Sequence, residues 1–303
     1  MQQNYYDEIK NELINNEVYK RVKDYSKNRN ELSTYYNVGK LLIEAQGGED
    51  RAKYGNGLIK EYSARLTKEL GKGYSTRSLK NMRKFYLLHS KGQALPALLS
   101  WSHYCELLPL KDMNEINYYI DISIKQNLSY RQLREKIKNK EYQRLDDNTK
   151  LKLINKEEID IGDNIKNPII IKNKLGIDKD DISEKILQRL ILEDIPSFLD
   201  ELGEGYSFIR NEYKIKINNT YNYIDLLLFN YIYNSFVVVE LKVTEVKKEH
   251  IGQVEVYMNY IDKHVKGINN NKTIGIIVAR RDNHYYIEYS SDKRIYTRDY
   301  EIV

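Results

Sequence analysis

The chain has 303 residues, a net charge of +5, 41% apolar and 31% charged residues, enough for two domains with cores of their own. No apolar run nears the roughly 20 residues of a membrane helix, and a single cysteine, Cys105, rules out an internal disulfide and a cysteine-based metal cluster. The opening MQQNYYDEIKNEL lacks a basic stretch followed by an apolar one, so a cytoplasmic protein with no membrane association is expected.

In chain order, Ile9, Leu13, Val18 and Val22 fall roughly at helical spacing. ELSTYYNVGKLLIEAQ then predicts a second helix with Leu32, Tyr35, Tyr36, Gly39, Leu42 and Ile43 on one side, stopped by Gly47 and Gly48. Leu58, Tyr62, Leu66 and Leu70 make a third stripe, broken by Gly71 and Gly73. Ser75 or Thr76 can cap the next helix. It carries Arg77, Lys80, Arg83 and Lys84, with Leu79, Met82, Phe85 and Tyr86 inward. A helix, a glycine turn and a basic helix match a helix-turn-helix or winged-helix reader, whose basic side chains contact phosphates and guanine edges. An ordinary amphipathic helix gives the same pattern. Trp101 and His103 read as a packed aromatic beside a hydrogen-bonded histidine. Ser129 precedes a second capped basic helix, offering Arg131 and Arg134 as further nucleic-acid contacts.

Residues 146–180 are dense in charge and Asn and read as a linker, with a short ordered lead-in near 168–175. Helix returns over 182–202, with Pro196 as a kink or a new start. Residues 206–230 predict a strand hairpin turning at Asn218 and Asn219. The apolar runs 226–229 and 236–239 predict two buried strands. Each carries charge at one end only: Asp225 enters the first, and Glu240 and Lys242 leave the second. Antiparallel pairing brings all three together. After them comes a helix with Gln253 and Tyr257 one turn apart. Gln253 can hold an attacking water or a phosphate oxygen, or make a structural contact. His250 reads as a surface residue or a DNA contact. IGIIVAR predicts a buried strand, and YYIEYSS an edge strand.

Two carboxylates and a lysine at a sheet edge suit phosphodiester hydrolysis. Mg²⁺ is held by one or two carboxylates with water and phosphate oxygens, it acidifies bound water, and a lysine offsets developing charge. A hairpin with solvated ends is the plain alternative. Charge distribution agrees with the first reading. Residues 1–150 carry 27 Lys and Arg against 19 Asp and Glu, residues 151–303 carry 22 against 25, and residues 51–100 alone carry 11 against 2. A basic half beside an acidic, metal-holding half fits nucleic-acid binding joined to cleavage.

The pattern D-x14-E-L-K resembles the PD-(D/E)XK nuclease fold. FLDELGEGYSFIRNEYKI, YIDLLLFN, VVVELK and GQVEVYMNY resemble the C-terminal nuclease domain of the YhcG-type bacterial family. YYNVGKLLIE, GGEDRAKYG, LTKELGKGYSTRSLKNMRKFY, LSWSHYCELL and LSYRQLREKI resemble that family's N-terminal domain. The resemblance implies a helical, DNA-binding-like domain over 1–145, a linker over 146–180, and a restriction-endonuclease-like α/β domain with a central mixed sheet over 181–303. It implies an Mg²⁺-dependent DNA endonuclease, with Mn²⁺ as a substitute, in mobile-element, defence or recombination and repair processes. Asp225 and Glu240 are the expected metal ligands, with Glu184 as an extra one; Asp225, Glu240, Lys242 and Gln253 are the expected catalytic set. One position departs: Gln188 stands where related sequences carry Glu. That departure keeps open a nucleic-acid-binding protein using the nuclease fold as a scaffold, with a protein-interaction platform as a third class. RNA as substrate and a homodimer also stay open.

Overall fold

The computed structural model describes residues 4–21, 27–48, 56–90, 98–281 and 292–303. The chain divides into two units, Met1–Tyr142 and Gln143–Val303. No helix among the described residues is long and apolar enough to cross a membrane.

The first unit is helical: α1 (Tyr5–Arg21), α2 (Lys27–Ala45), α3 (Asn56–Leu70), α4 (Thr76–His89), α5 (Trp101–Leu107), α6 (Met113–Lys125) and α7 (Tyr130–Lys138). The expected stripes point inward. Ile9, Leu13, Leu32, Leu42, Tyr62, Leu66, Leu79, Met82 and Phe85 are all buried, while the side chains of Val18 and Val22 lie outside the described residues. Gly39 lets α2 press on α4, because a Cβ there would run into the Met82 carbonyl. Ser75 caps α4 by accepting from the Ser78 amide at 3.2 Å. Ser129 and Gln132 form a reciprocal capping box on α7. Trp101 packs against Tyr35 and Phe85, with ring centroids 4.6 and 5.3 Å away. His103 spans Ser100 Oγ at 2.7 Å and the Leu128 carbonyl at 2.8 Å, so both its nitrogens are engaged in holding loops.

The second unit is a six-stranded mixed sheet with helices on both faces. Its elements are α8 (Asp147–Asn155), β1 (Ile169–Ile171), α9 (Glu184–Glu193), α10 (Ile195–Leu202), β2 (Tyr206–Ile217), β3 (Thr220–Asn230), β4 (Ser235–Glu245), α11 (Lys248–His264), β5 (Ile274–Arg281) and β6 (Ile295–Ile302). The strand order is β1-β6-β5-β4-β3-β2. β2, β3 and β4 pair antiparallel, and β4, β5, β6 and β1 pair parallel. Alternate residues of the central strands feed two cores. Leu226, Leu228, Val237, Val239, Ile276 and Val278 meet α9 and α10, whereas Leu227, Val238 and Ile277 meet α11. This two-sided burial is why the central strands read as continuous apolar runs.

Residues 146–180, expected as a linker, are folded into this unit. Asp146 caps α8 through the Asn148 amide at 2.8 Å, and β1 closes the sheet edge against β6. Pro196 lies in the first turn of α10, where its missing N–H costs nothing, so it begins a helix rather than kinking one. The strand expected at YYIEYSS falls outside the described residues. β6, which takes an inner place in the sheet, had no counterpart among the expected elements.

Candidate active site

β3 and β4 are paired from Leu226↔Val239 to Asn230↔Ser235. The next pair in that register is Asp225 and Glu240, and there the sheet splits. Below it β3 continues with β2 alone, down to Thr220, and β4 continues with β5 as far as Glu245. The two carboxylates stand at the base of this fork. Asp225 bridges it, its Oδ2 accepting the Leu241 amide at 2.8 Å.

Glu240 is 2% exposed. Its Oε1 accepts from Lys242 Nζ at 2.9 Å, and its Oε2 is buried with no hydrogen-bond partner. Lys242 Nζ also lies 3.5 Å from Glu184 Oε2 in the first turn of α9. The predicted trio of Asp225, Glu240 and Lys242 is therefore together. Glu184 reaches the trio at the lysine, and its charge adds to the rise in both carboxylates. Among the described residues, no group of three or more His, Cys, Asp or Glu side chains is gathered to hold a metal ion.

The electrostatics follow from burial. Desolvation raises Asp225 above the ordinary carboxylate range. Desolvation and then the Asp225 charge push Glu240 up to about 7. Burial works against the Lys242 ammonium, but the Glu240 carboxylate beside it leaves its pKa raised on balance. The site thus holds two carboxylates that resist sharing negative charge, and one cation already turned toward them.

Gln188 lies one turn beyond Glu184 and is 8% exposed. Its Nε2 donates to the backbone carbonyl of Asp225 at 3.1 Å, which an ionised carboxylate cannot do. Gln188→Glu should therefore lower stability in chelator by about 1–3 kcal/mol, the cost of leaving that acceptor unmade. A denaturation midpoint unchanged from wild type would refute this role.

On α11, Gln253 donates through Nε2 to the Tyr257 hydroxyl at 2.8 Å, and Tyr257 is buried. His250 is not the surface residue expected. It is buried, its Nδ1 accepts the Lys247 amide at 3.1 Å at the start of α11, and desolvation followed by the Lys242 charge lowers its pKa. Glu212 was missed altogether. It faces Asp225 in the β2–β3 register, takes a left-handed φ of 46°, and its charge adds to the rise in Asp225. Only strand pairing could have exposed it.

The nucleic-acid candidates fare unevenly. Arg77 and Lys84 are exposed on α4 and Arg131 on α7, while Lys80 is half-buried. Arg83 is drawn to Gln46 Oε1 at 3.1 Å. Arg134 is clamped on Glu106 by two bonds of 3.0 and 2.7 Å.

Residues 11–144 match the DUF1016 N-terminal domain, and residues 163–302 match the YhcG PDDEXK nuclease domain. The chain belongs to the YhcG-type family. Its second unit holds the match to the family's nuclease domain, and the fork with Asp225, Glu240 and Lys242 lies within the matched residues. The protein named "Putative nuclease YhcG" of Escherichia coli (strain K12) is 26% identical over 284 residues, covering 82% of this chain and 76% of that one. A crystal structure of a repair endonuclease from Pyrococcus abyssi aligns with 41% of this YhcG-type chain and about half of its own (49%), at 18% identity and a TM-score of 0.29.

Proposed function

We propose that the second unit is an Mg²⁺-dependent endonuclease acting on DNA, and that the basic helical unit binds the same nucleic acid. The observation that carries this reading is Glu240: a buried carboxylate with one oxygen unpartnered, beside a second carboxylate and a lysine, where the sheet opens. Such an oxygen is costly unless something meets it, and a divalent cation does so. Mg²⁺ needs only one or two carboxylates besides water and phosphate oxygens. Asp225 and Glu240 fit that demand, with Mn²⁺ as a substitute. When bound, the cation polarises the phosphoryl oxygen and acidifies water.

The chain's own residues do the rest. Asp225 is held by the Leu241 amide, which fixes its carboxylate at the base of the fork. Lys242 brings a charged donor to the edge of the site, placed to hold water or to stabilise charge on the phosphate. Gln253 and Tyr257 border the carboxylates from α11.

The test is cleavage of linear duplex, branched and single-stranded DNA and of RNA, with Mg²⁺ and with EDTA. Cutting should require the cation. Lys242→Ala should lose about 10²–10³-fold in rate, the usual cost of one such donor. A second reading, a binding protein on a nuclease scaffold, is favoured by Gln188 occupying a carboxylate position. No cutting of any substrate, with salt-sensitive binding retained, would select it.

A further inference from the structure

Beyond the fork, β2 and β3 form a two-stranded ribbon whose two faces differ. Tyr213, Ile215, Ile217 and Ile224 turn into the core beneath α11. The opposite face pairs Lys214 with Tyr223 and Lys216 with Tyr221, so two lysines and two tyrosines share one side. Both lysines are exposed, and Tyr221 and Tyr223 keep 53% and 52% of their surface in solvent. The Lys214 ammonium stands 3.7 Å from the centre of the Tyr221 ring, and that of Lys216 stands 5.9 Å away. Asp225 is two positions along β3 from Tyr223, so the patch lies within two strand residues of the candidate active site.

We infer that this face of the β2–β3 ribbon, Lys214, Lys216, Tyr221 and Tyr223, is a platform for an unpaired polynucleotide strand entering the fork. The inference rests on the nuclease reading for its direction, though not for the binding itself. Ammonium groups meet phosphates, and tyrosine faces stack on bases whatever their identity, which is the pairing used by single-strand binders. Bases inside a duplex are already stacked on each other and offer such rings no face. Charge complementarity and ring surface together therefore favour a strand with splayed bases over duplex. The four contact positions contain no aliphatic side chain of the kind that inserts into a membrane. The substrate class that follows is nucleic acid with a single-stranded segment beside the bond that is cut.

The experiment is fluorescence anisotropy of the full chain in EDTA, where no cleavage intervenes. The labelled probes are oligo-dT, oligo-U and a duplex of equal length. Tyr221→Ala/Tyr223→Ala should weaken single-strand binding about tenfold or more, the scale of lost base stacking. Duplex binding should stay within about twofold, and Tyr221→Phe/Tyr223→Phe should bind as wild type. Lys214→Gln/Lys216→Gln should flatten the salt slope for single strands by about 1.4. Melting temperatures of these exposed-site variants verify that each is folded. Whichever of oligo-dT and oligo-U binds tighter identifies the strand. The platform is overturned if the tyrosine pair leaves single-strand affinity unchanged, or weakens duplex binding equally. If no substrate is cut but the tyrosine variants still lose single-strand binding, the nuclease reading fails and the platform stands. If cutting is seen and the variants bind as before, the platform alone fails.

Discussion

Glu240→Gln is expected to abolish cleavage and, in the same protein, to raise the melting temperature in chelator at pH 8. The two effects share one cause. Glu240 is buried beside Asp225, and its pKa is raised to about 7 in the folded protein, whereas the unfolded chain titrates near its ordinary value, about 4.3–4.5. The folded state thus holds a proton more tightly than the unfolded state. That contribution is present in full below the unfolded pKa and is lost as pH rises through about 7. By pH 8 the loss approaches about 3 kcal/mol at most, shared with Asp225. A neutral amide has no such proton to give up. Melts in EDTA from pH 5 to pH 8.5 should show the wild type falling more steeply than Glu240→Gln, with the two several degrees apart at the alkaline end. Parallel curves would contradict the assignment. On the proposed function a cation needs the ionised carboxylates, so stabilisation of the wild type by Mg²⁺ should grow over the same pH interval, and the variant should lack it.

The second large effect lies away from the site. Arg144 and Glu201 form a buried pair: Nη2 meets Oε1 at 3.0 Å, and Nη1 bonds Oε2 as well. Each also holds backbone. Arg144 donates to the Pro168 carbonyl at 2.7 Å, and Glu201 accepts the Ile170 amide at 3.0 Å. The pair fastens the 143–170 segment to the end of α10 and sets β1 in place. Arg144→Ala leaves a carboxylate buried without its main partner and should cost about 3–5 kcal/mol. Arg144→Met combined with Glu201→Leu should recover most of that, since neither charge then remains in the interior. Urea denaturation of the three proteins decides it, and a cost below about 1 kcal/mol for the single variant would show that solvent, not Glu201, satisfies Arg144.

Much of the nuclease half was legible before the fold was known. β3, β4 and β5 are buried on both faces, so they appear as apolar runs, and the acids at their ends stand out because everything beside them is apolar. Ser75 and Ser129 announced α4 and α7 because a cap acts within three residues of itself. What escaped depends on distant partners. Arg83 and Arg134 also hold contacts that sequence spacing could not show, with Gln46 and Glu106, 37 and 28 positions away. β1 sits in a polar stretch, and only its pairing with β6 makes it a strand. Gln188 looked like a missing ligand; its bond to the Asp225 carbonyl shows what an amide does there that a carboxylate could not.

The sheet also has a temporal side. Its antiparallel part, β2 to β4, is built from neighbours joined by tight turns, which close in microseconds. Its far edge is not: the Asp299 amide finds Asn167 Oδ1 across 132 positions, and parallel pairing over such a span is entropically costly to start and slow. Asp225 and Glu240 therefore come into register early, on a ribbon still open to water. Desolvation is the first cause of their raised proton affinity, so that affinity comes only with the burial that α9 and α11 bring to this ribbon.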